Sequence, residues 1–184
     1  KFVRFLRSNG VEATGVEASK VLFDRYLAKE PFFTCGTVEK LAAAGRTSYP
    51  TVTLFDVLEH VEAPRNLFRA LHGIMPHGGR LFVSTPDVGS LLARVLGPRW
   101  HFYNKYHLSY FSPKTLDLLC RETGFKVESL AHHGKRFPVG YLLRYGRDFL
   151  WGRRDAGRGS PSALDAYSVP LKTFDIMYAI HERD

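Results

Sequence analysis

The chain has 184 residues, of which 45% are hydrophobic and 24% are charged. These are ordinary values for a globular protein, and the length suits one domain with a sizeable core. No apolar run approaches the roughly 18 residues that a membrane-spanning helix needs, and no signal-peptide pattern opens the chain. The two cysteines, Cys35 and Cys120, lack C-x-x-C spacing, which favours free, buried, reduced thiols over a disulfide or a metal site. We therefore expect a soluble, cytoplasmic protein.

The net charge of +8 is unevenly distributed along the chain. The segment from Lys135 to Arg158 contains seven basic and two acidic residues, which is five of the eight net charges. We interpret residues 135–162 as a basic insertion, in the simplest case a solvated face and a loop. Basic surface attracts phosphates, acidic lipids and anionic substrates, so peripheral membrane contact stays open as an alternative. Nucleic acid is a less favoured partner.

The first predicted elements are a helix and a short strand. Lys1–Asn9 has the pattern of the second half of a helix, Glu12–Ser19 that of a strand ending at Glu17, and Lys20–Lys29 that of a second helix. In dinucleotide-binding folds a Gly-rich turn lies about 20 residues before the acid that ends the second strand. Counting back from Glu17 leads upstream of residue 1. We therefore expect that the Gly-rich loop and the strand before it are absent from this chain.

The stretch from residue 51 to residue 87 predicts a strand, a helix and a second strand. The strands are Thr51–Val57 and Arg80–Ser84, and the helix between them begins near Pro64 and has apolar residues at helical spacing. Near-continuous apolar strands joined by a helix indicate a right-handed parallel crossover. Ligands bind at the carboxyl ends of such strands, where this sequence has polar side chains: Asp56, Glu59, His60, Thr85 and Asp87.

An aromatic segment follows, and we expect residues 98–112 to form a lid over the binding crevice. It contains two histidines, His101 and His107, and six aromatic residues: Trp100, Phe102, Tyr103, Tyr106, Tyr110 and Phe111. About half of these rings are expected simply to pack the segment onto the sheet. Beyond it the sequence predicts a helix from Pro113 capped by Ser112, a strand at Lys126–His132, a helix at Val139–Leu150, a linker at Gly152–Ser162 and a last strand at Phe174–His181. His132, His133 and His181 show no ligand spacing and receive no role.

The sequence contains the segments LFDVLEHV, AP, MPHGG and LFVSTPD, in this order. These segments resemble the class I S-adenosylmethionine-dependent methyltransferases of the D-V-L-E-H-V, L-K-P-G-G, P-N type. The resemblance covers nearly the whole chain. It implies an α/β fold, a Rossmann-like seven-stranded sheet with an antiparallel C-terminal strand, here lacking the first strand and the Gly-rich loop. The missing strand would be central, between the strands of Gly15 and Leu54, so we expect this partial domain to fold poorly alone.

The resemblance also implies S-adenosylmethionine as cofactor and assigns residues to it. Glu17 would accept hydrogen bonds from the ribose hydroxyls, although an acid that caps the following helix is the alternative. The match of Val16–Ser19 to the family's V-D/E-x-S places Ala18 at the adenine. An acid is usual at Thr37, so contact with adenine there would come from Thr37 or Val38. The expected cofactor residues are thus Glu17, Ala18, Ser19, Thr37, Val38, Phe55 and Asp56, the last two beside the methionine part.

Glu59 and His60 would face the methyl acceptor, and His107 matches the family's H-L pair. A histidine near its ordinary pKa of about 6.5 can accept a proton from a hydroxyl during methyl transfer. The three residues are therefore our catalytic candidates, and a helix-capping or supporting role for Glu59 and His60 is the alternative.

The leading hypothesis is methyl transfer to a small-molecule or lipid-like acceptor, with the aromatic lid favouring a planar or isoprenoid group and the basic segment an anionic one. It assigns no metal ion to the site. One variant of this hypothesis includes a metal ion, because four residues resemble the ligands of metal-dependent RNA 2′-O-methyltransferases: Asp56, Glu59, His60 and His107. Two different classes of protein also stay open, a dehydrogenase in which Glu17 holds a nicotinamide ribose and a non-catalytic binding module.

Overall fold

A computed structural model describes residues 1–45, 48–132, 135–152, 160–171 and 176–183. Its helices are α1 Phe2–Ser8, α2 Lys20–Tyr26, α3 Val38–Ala43, α4 Pro64–Ile74, α5 Leu91–Leu96, α6 Pro113–Arg121 and α7 Val139–Leu150. The strands are β1 Gly15–Glu17, β2 Phe33–Cys35, β3 Thr51–Phe55, β4 Arg80–Pro86, β5 Phe125–His132, β6 Lys135–Pro138, β7 Ser168–Leu171 and β8 Ile176–Arg183. Short 3-10 turns cover Leu58–His60, Gly97–Arg99 and Ala163–Ala166.

The main sheet has four strands in the order β3-β4-β8-β5. β3 and β4 are parallel, with Leu54 beside Val83, and β8 lies antiparallel between β4 and β5. Strands β3, β4 and β5 therefore run in the same direction, so their carboxyl ends lie at one edge of the sheet. The α/β fold and the antiparallel C-terminal strand are confirmed, although that strand is Ile176–Arg183 rather than 174–181 and residues 172–175 lie outside the described part.

Strands β1 and β2 form a separate parallel pair. Among the described strands, β1 pairs only with β2 and β3 pairs only with β4. This leaves one edge of β1 and one edge of β3 without a described partner. Helix α1 contacts both regions, because Phe2 packs on the Phe55 ring with centroids 5.4 Å apart and Val3 lies against Gly15.

The core lies between the main sheet and the helices α4 and α6. Leu67, Phe68, Leu71 and Ile74 of α4 are buried at helical spacing, and they contact a cluster that includes Phe125. Burial of this stripe, rather than helix propensity alone, holds an 11-residue helix on the sheet.

Helix α6 begins as the sequence predicts. The Ser112 hydroxyl accepts a hydrogen bond from the Thr115 N–H at 3.3 Å, and the Thr115 hydroxyl accepts one from the Ser112 N–H at 2.8 Å. This reciprocal cap satisfies two helix-terminal donors and contributes about 1 kcal/mol. Helix α2 ends at Tyr26, three residues earlier than predicted, and α5 has no counterpart among the predicted elements.

Beyond β5 the chain forms a C-terminal unit of β6, α7, the turn Ala163–Ala166 and β7. Strands β6 and β7 pair antiparallel, and Arg144 of α7 forms a double hydrogen bond with Asp165 at 2.9 and 3.2 Å. The predicted linker lies largely in residues 153–159, outside the described part. Of the two free thiols, Cys120 is buried as expected, whereas Cys35, at the end of β2, is exposed.

Candidate functional site

The polar side chains expected at the carboxyl ends of β3 and β4 are brought together. The Asp56 N–H donates to the backbone oxygen and to the hydroxyl of Ser84, both at 3.1 Å, and that hydroxyl donates back to the Asp56 carboxylate at 3.2 Å. Asp56 has φ +54°, which makes it the only residue other than glycine with positive φ in the described chain. A left-handed backbone at a non-glycine residue costs about 1–2 kcal/mol and concentrates at functional sites.

Glu59 lies behind this turn and is only 2% exposed. Its carboxylate accepts a hydrogen bond from the Thr85 hydroxyl at 3.0 Å. Burial raises the pKa of Glu59, while its own backbone amide and Thr85 oppose that rise. The Glu59 side chain therefore points inward beneath the turn, whereas His60 is exposed, and a role of the two residues at the acceptor stays a prediction.

His60 and His107 lie against each other. His60 also contacts Tyr106, which lies 46 residues later in the chain. The ring centroids of the two histidines are 4.8 Å apart in an edge-to-face arrangement. Desolvation first, and then the neighbouring His60, lower the pKa of His107. His60 Nδ1 lies 2.7 Å from the Tyr106 carbonyl oxygen. Because a carbonyl only accepts, Nδ1 carries the hydrogen, and this leaves Nε2 as the proton acceptor of the neutral ring.

The lid segment, residues 98–112, docks directly on the Glu59 turn. The N–H groups of Leu108 and Ser109 both donate to the Glu59 backbone oxygen, at 2.7 and 3.1 Å. Trp100 is fully buried, with the rings of Phe102 and Tyr103 at 5.2 and 5.1 Å from its own. The rings in this segment therefore pack mostly on one another, while Tyr106 stays largely exposed.

The expected cofactor residues on β1 and β2 are also adjacent. The Gly36 N–H donates to the Glu17 backbone oxygen at 2.9 Å, which brings the turn holding Thr37 and Val38 next to the end of β1. The Ser19 N–H donates to the Glu17 carboxylate at 2.8 Å, and Ser19 itself caps α2. Part of the helix-capping alternative is thus present, but within the described chain no hydrogen bond reaches the second carboxylate oxygen of Glu17.

The remaining expected cofactor residues are placed as follows. The Thr37 hydroxyl caps α3 by accepting from the Lys40 N–H at 3.4 Å, and the Val38 side chain packs against the core. Ala18 is exposed, and Phe55 is 42% exposed at the end of β3.

In the described part of the chain, three residues lie close enough together to share a metal ion. One ligand atom each of Glu59, His60 and His107 lies within 4.8 Å of the others. Asp56, the fourth residue of the metal variant, does not belong to this group.

A hollow of about 430 Å³ lies between α4, α6 and the end of the lid segment. Its walls include Pro64, Tyr110 and Leu118, and none of the expected site residues lines it. We therefore place the candidate site at the sheet edge, under the lid segment, rather than in this hollow.

An α/β fold with polar clusters at the carboxyl ends of parallel strands, one on β1 and β2 and one on β3 and β4, is typical of proteins that bind a nucleotide cofactor. The family model described as a methyltransferase domain matches residues 1–130. The chain therefore belongs to the methyltransferase domain family, as the resemblance implied.

Curated relatives match part of the chain. A ubiquinone biosynthesis O-methyltransferase of Xanthomonas euvesicatoria is 32% identical over 106 residues, covering 52% of this chain and 43% of its own. One of Nitrosococcus oceani is 27% identical over 125 residues, covering 61% and 50%. The chain thus spans half or less of the length of these two relatives.

Solved structures agree on the fold. A SAM-dependent methyltransferase from Archaeoglobus fulgidus superposes with a TM-score of 0.67 at 12% identity, covering 99% of this chain and 80% of its own. One from Mesorhizobium loti gives 0.60 at 15% identity, covering 99% and 85%.

Proposed function

We propose that the protein containing this chain transfers a methyl group from S-adenosylmethionine to a hydroxyl oxygen of a small, lipid-like acceptor. The observation that carries the proposal is the pair of histidines held between the Glu59 turn and the aromatic lid segment. The match to relatives named ubiquinone biosynthesis O-methyltransferase supports an oxygen acceptor on a lipid-like molecule.

The cofactor half of the proposal rests on the fit of the residues present. Glu17 has one carboxylate oxygen committed to Ser19, and the other is available to the ribose hydroxyls. We assign adenine to Ala18, Ser19 and the backbone of Thr37 and Val38. We assign the methionine part to the β3 end, Phe55 and Asp56, where strained backbone presents an exposed carboxylate.

When bound, S-adenosylmethionine supplies the methyl group as an already activated sulfonium. The protein must therefore align the acceptor, and alignment alone lowers a barrier by about 7 kcal/mol or more. The acceptor hydroxyl gives its proton to an imidazole nitrogen. His60 Nε2 is oriented for this by the hydrogen bond at Nδ1, and desolvation, which lowers the pKa of His107, favours the neutral form of that ring. Glu59 supports the pair from behind.

A metal-assisted version of the same reaction is the second candidate, because Glu59, His60 and His107 cluster within 4.8 Å. Carboxylate and imidazole ligands would suit Mn²⁺ or Mg²⁺, which would lower the pKa of a bound hydroxyl. Activity of the full-length protein that is unchanged by EDTA would exclude this version. The RNA acceptor gains no support from the comparisons.

A lipid-like acceptor raises the question of access. In the described chain no helix is long and apolar enough to cross a membrane. However, four of the most exposed large apolar side chains lie on two elements, Leu91 and Val95 on α5 and Leu150 and Trp151 at the end of α7, each 70–78% exposed. The Tyr145 hydroxyl of α7 donates to the Arg99 carbonyl oxygen at 3.2 Å, which joins α7 to the 3-10 turn that follows α5.

We assign this apolar face to the surface of an anionic bilayer, since the exposed Arg94 lies on α5 and the exposed Arg99 on the turn that follows it. Co-sedimentation with phosphatidylglycerol vesicles tests it. Leu91→Asp should abolish binding, while Val21→Asp, which changes an equally exposed residue on α2, should not. Equal binding by both variants would refute the assignment.

Methylation assays test the catalytic proposal. A catechol with a short isoprenoid chain serves as acceptor, and the full-length protein is compared with His60→Ala and His107→Ala variants. General-base catalysis typically contributes 10²–10⁴-fold, so we expect a loss of about 100-fold in kcat with the donor Kd unchanged. Variants that keep wild-type kcat would refute these roles.

A further inference from the structure

Asp87 follows β4 at the place where the family pattern has Asn, and it is only 4% exposed, yet the proposed reaction does not use it. Both of its carboxylate oxygens are engaged. One accepts the Gly89 N–H at 2.7 Å, and the other lies 2.8 Å from His132 Nε2. His132 received no role from the sequence, because 45 residues separate the two partners.

The backbone of Asp87 contacts a third segment. Asp87 forms a parallel bridge with Phe111, and the Val88 N–H donates to the Phe111 oxygen at 2.9 Å. Asp87 therefore joins the turn before α5, the end of the lid segment and the last residue of β5. These three segments cover the edge of the sheet at which the candidate site lies.

The position of Asp87 relates this junction to the candidate site. Thr85 and Asp87 are two residues apart on one strand and its continuation, so they share a face, and Thr85 holds the buried Glu59. At the other end, His132 precedes the C-terminal unit, whose Tyr145 contacts Arg99 and His101 of the lid segment.

The turn is closely packed, which argues for a specific geometry. A Cβ added to Gly89 would lie 3.1 Å from the Asp87 carboxylate and 3.4 Å from Ser112 Cβ. A side chain at position 89 would therefore displace the Asp87 carboxylate, whereas glycine lets the carboxylate lie close to the backbone.

From these contacts we propose that Asp87, acting through His132, is a positioning residue that holds the lid segment and the C-terminal unit over the acceptor site. Only the expected effect on catalysis rests on the proposed methyl transfer. The structural consequence is independent of it: without the pair, the lid segment opens more often while the donor side, on β1 and β2, is unaffected.

The test compares three variants of the full-length protein. His132→Phe keeps a ring but loses the nitrogen, His132→Gln restores a donor, and Asp117→Asn is the control, because it removes an exposed ion pair with Arg121 on α6, away from the junction. Asp87→Asn, with nearly unchanged volume, replaces His132→Phe if that variant does not fold.

Trypsin cleavage after the exposed Lys105 reports lid opening without any ligand. We expect cleavage of His132→Phe to be about tenfold faster, the effect of one charge-assisted hydrogen bond, and faster than the fall in its urea midpoint accounts for. His132→Gln should recover most of the protection, and Asp117→Asn should match wild type. Wild-type cleavage of His132→Phe would overturn the proposal, and so would faster cleavage that simply follows a lower urea midpoint.

The catalytic readout uses the isoprenoid catechol. His132→Phe should raise the acceptor KM about tenfold and leave the Kd of S-adenosylmethionine within about twofold. Equal weakening of donor and acceptor would overturn a positioning role. If wild type binds the donor but does not methylate the catechol, the proposed acceptor fails, and the cleavage result still decides the role of Asp87.

Discussion

The left-handed backbone at Asp56 gives the sharpest quantitative prediction. At ordinary positions, replacing a residue by alanine leaves a protein more stable than replacing it by glycine, because glycine gains about 0.4–1 kcal/mol of conformational freedom in the unfolded state. At φ +54° the order should invert, since alanine bears the steric cost of about 1–2 kcal/mol that glycine escapes.

The difference between these terms makes Asp56→Gly about 1 kcal/mol more stable than Asp56→Ala. Asp56→Ala should be about 1–2 kcal/mol less stable than wild type, because it also loses the hydrogen bond with the Ser84 hydroxyl. Asp56→Asn keeps an acceptor oxygen and tolerates left-handed backbone, so it should stay within about 0.5 kcal/mol.

Urea unfolding of the full-length protein measures these differences. Glu62 provides the matched control, because it is exposed, lies six residues away and has no positive φ. There, alanine should be more stable than glycine. If Asp56→Ala were as stable as Asp56→Gly, or more so, the strain assigned to this turn would be absent.

Three further predictions concern stability. Burial raises the pKa of Glu59 above its ordinary value of 4.5, so ionisation of this carboxyl lowers the stability of wild type as the pH rises above about 4.5. Glu59→Gln should therefore be more stable than wild type at pH 8 in metal-free buffer, and this gain should vanish near pH 4. Arg144 lowers the pKa of Asp165 to about 2, so wild type should lose its stability advantage over Arg144→Met as pH falls from about 4 to 2, in urea midpoints taken at each pH. Phe125 is fully buried against Phe68, so chemical denaturation should show a loss of about 3–5 kcal/mol for Phe125→Ala and about 1 kcal/mol for Phe125→Leu. A Glu59→Gln gain that persists at pH 4, an Arg144→Met deficit that persists at pH 2, or equal losses for the two Phe125 variants would contradict the respective prediction.

Local patterns predicted the elements that build the site. The alternation of apolar residues and turn signals located β3, α4 and β4, and the Ser112 cap located α6, because these features depend on neighbours a few residues away. Helix α5 was missed, although Ser90 and Gly97 bracket it with a cap and a stop, since six residues give too short a period.

Contacts between segments that are distant in the chain could not be predicted from the sequence. The inward orientation of Glu59 follows from its bond to Thr85, and the pairing of Asp87 with His132 from the insertion of β8 between β4 and β5. Such contacts depend on strand order and burial, which residue spacing does not encode. The resemblance to a known family predicted the proximity of His60 and His107, where spacing alone did not.

Calorimetric titration of the full-length protein with S-adenosylmethionine tests the central claim most directly. The proposed site predicts saturable binding at one site, weakened at least tenfold by Glu17→Ala and unchanged by Cys35→Ser at the exposed end of the neighbouring strand β2. Absence of binding, or equal affinity in wild type and Glu17→Ala, would contradict it.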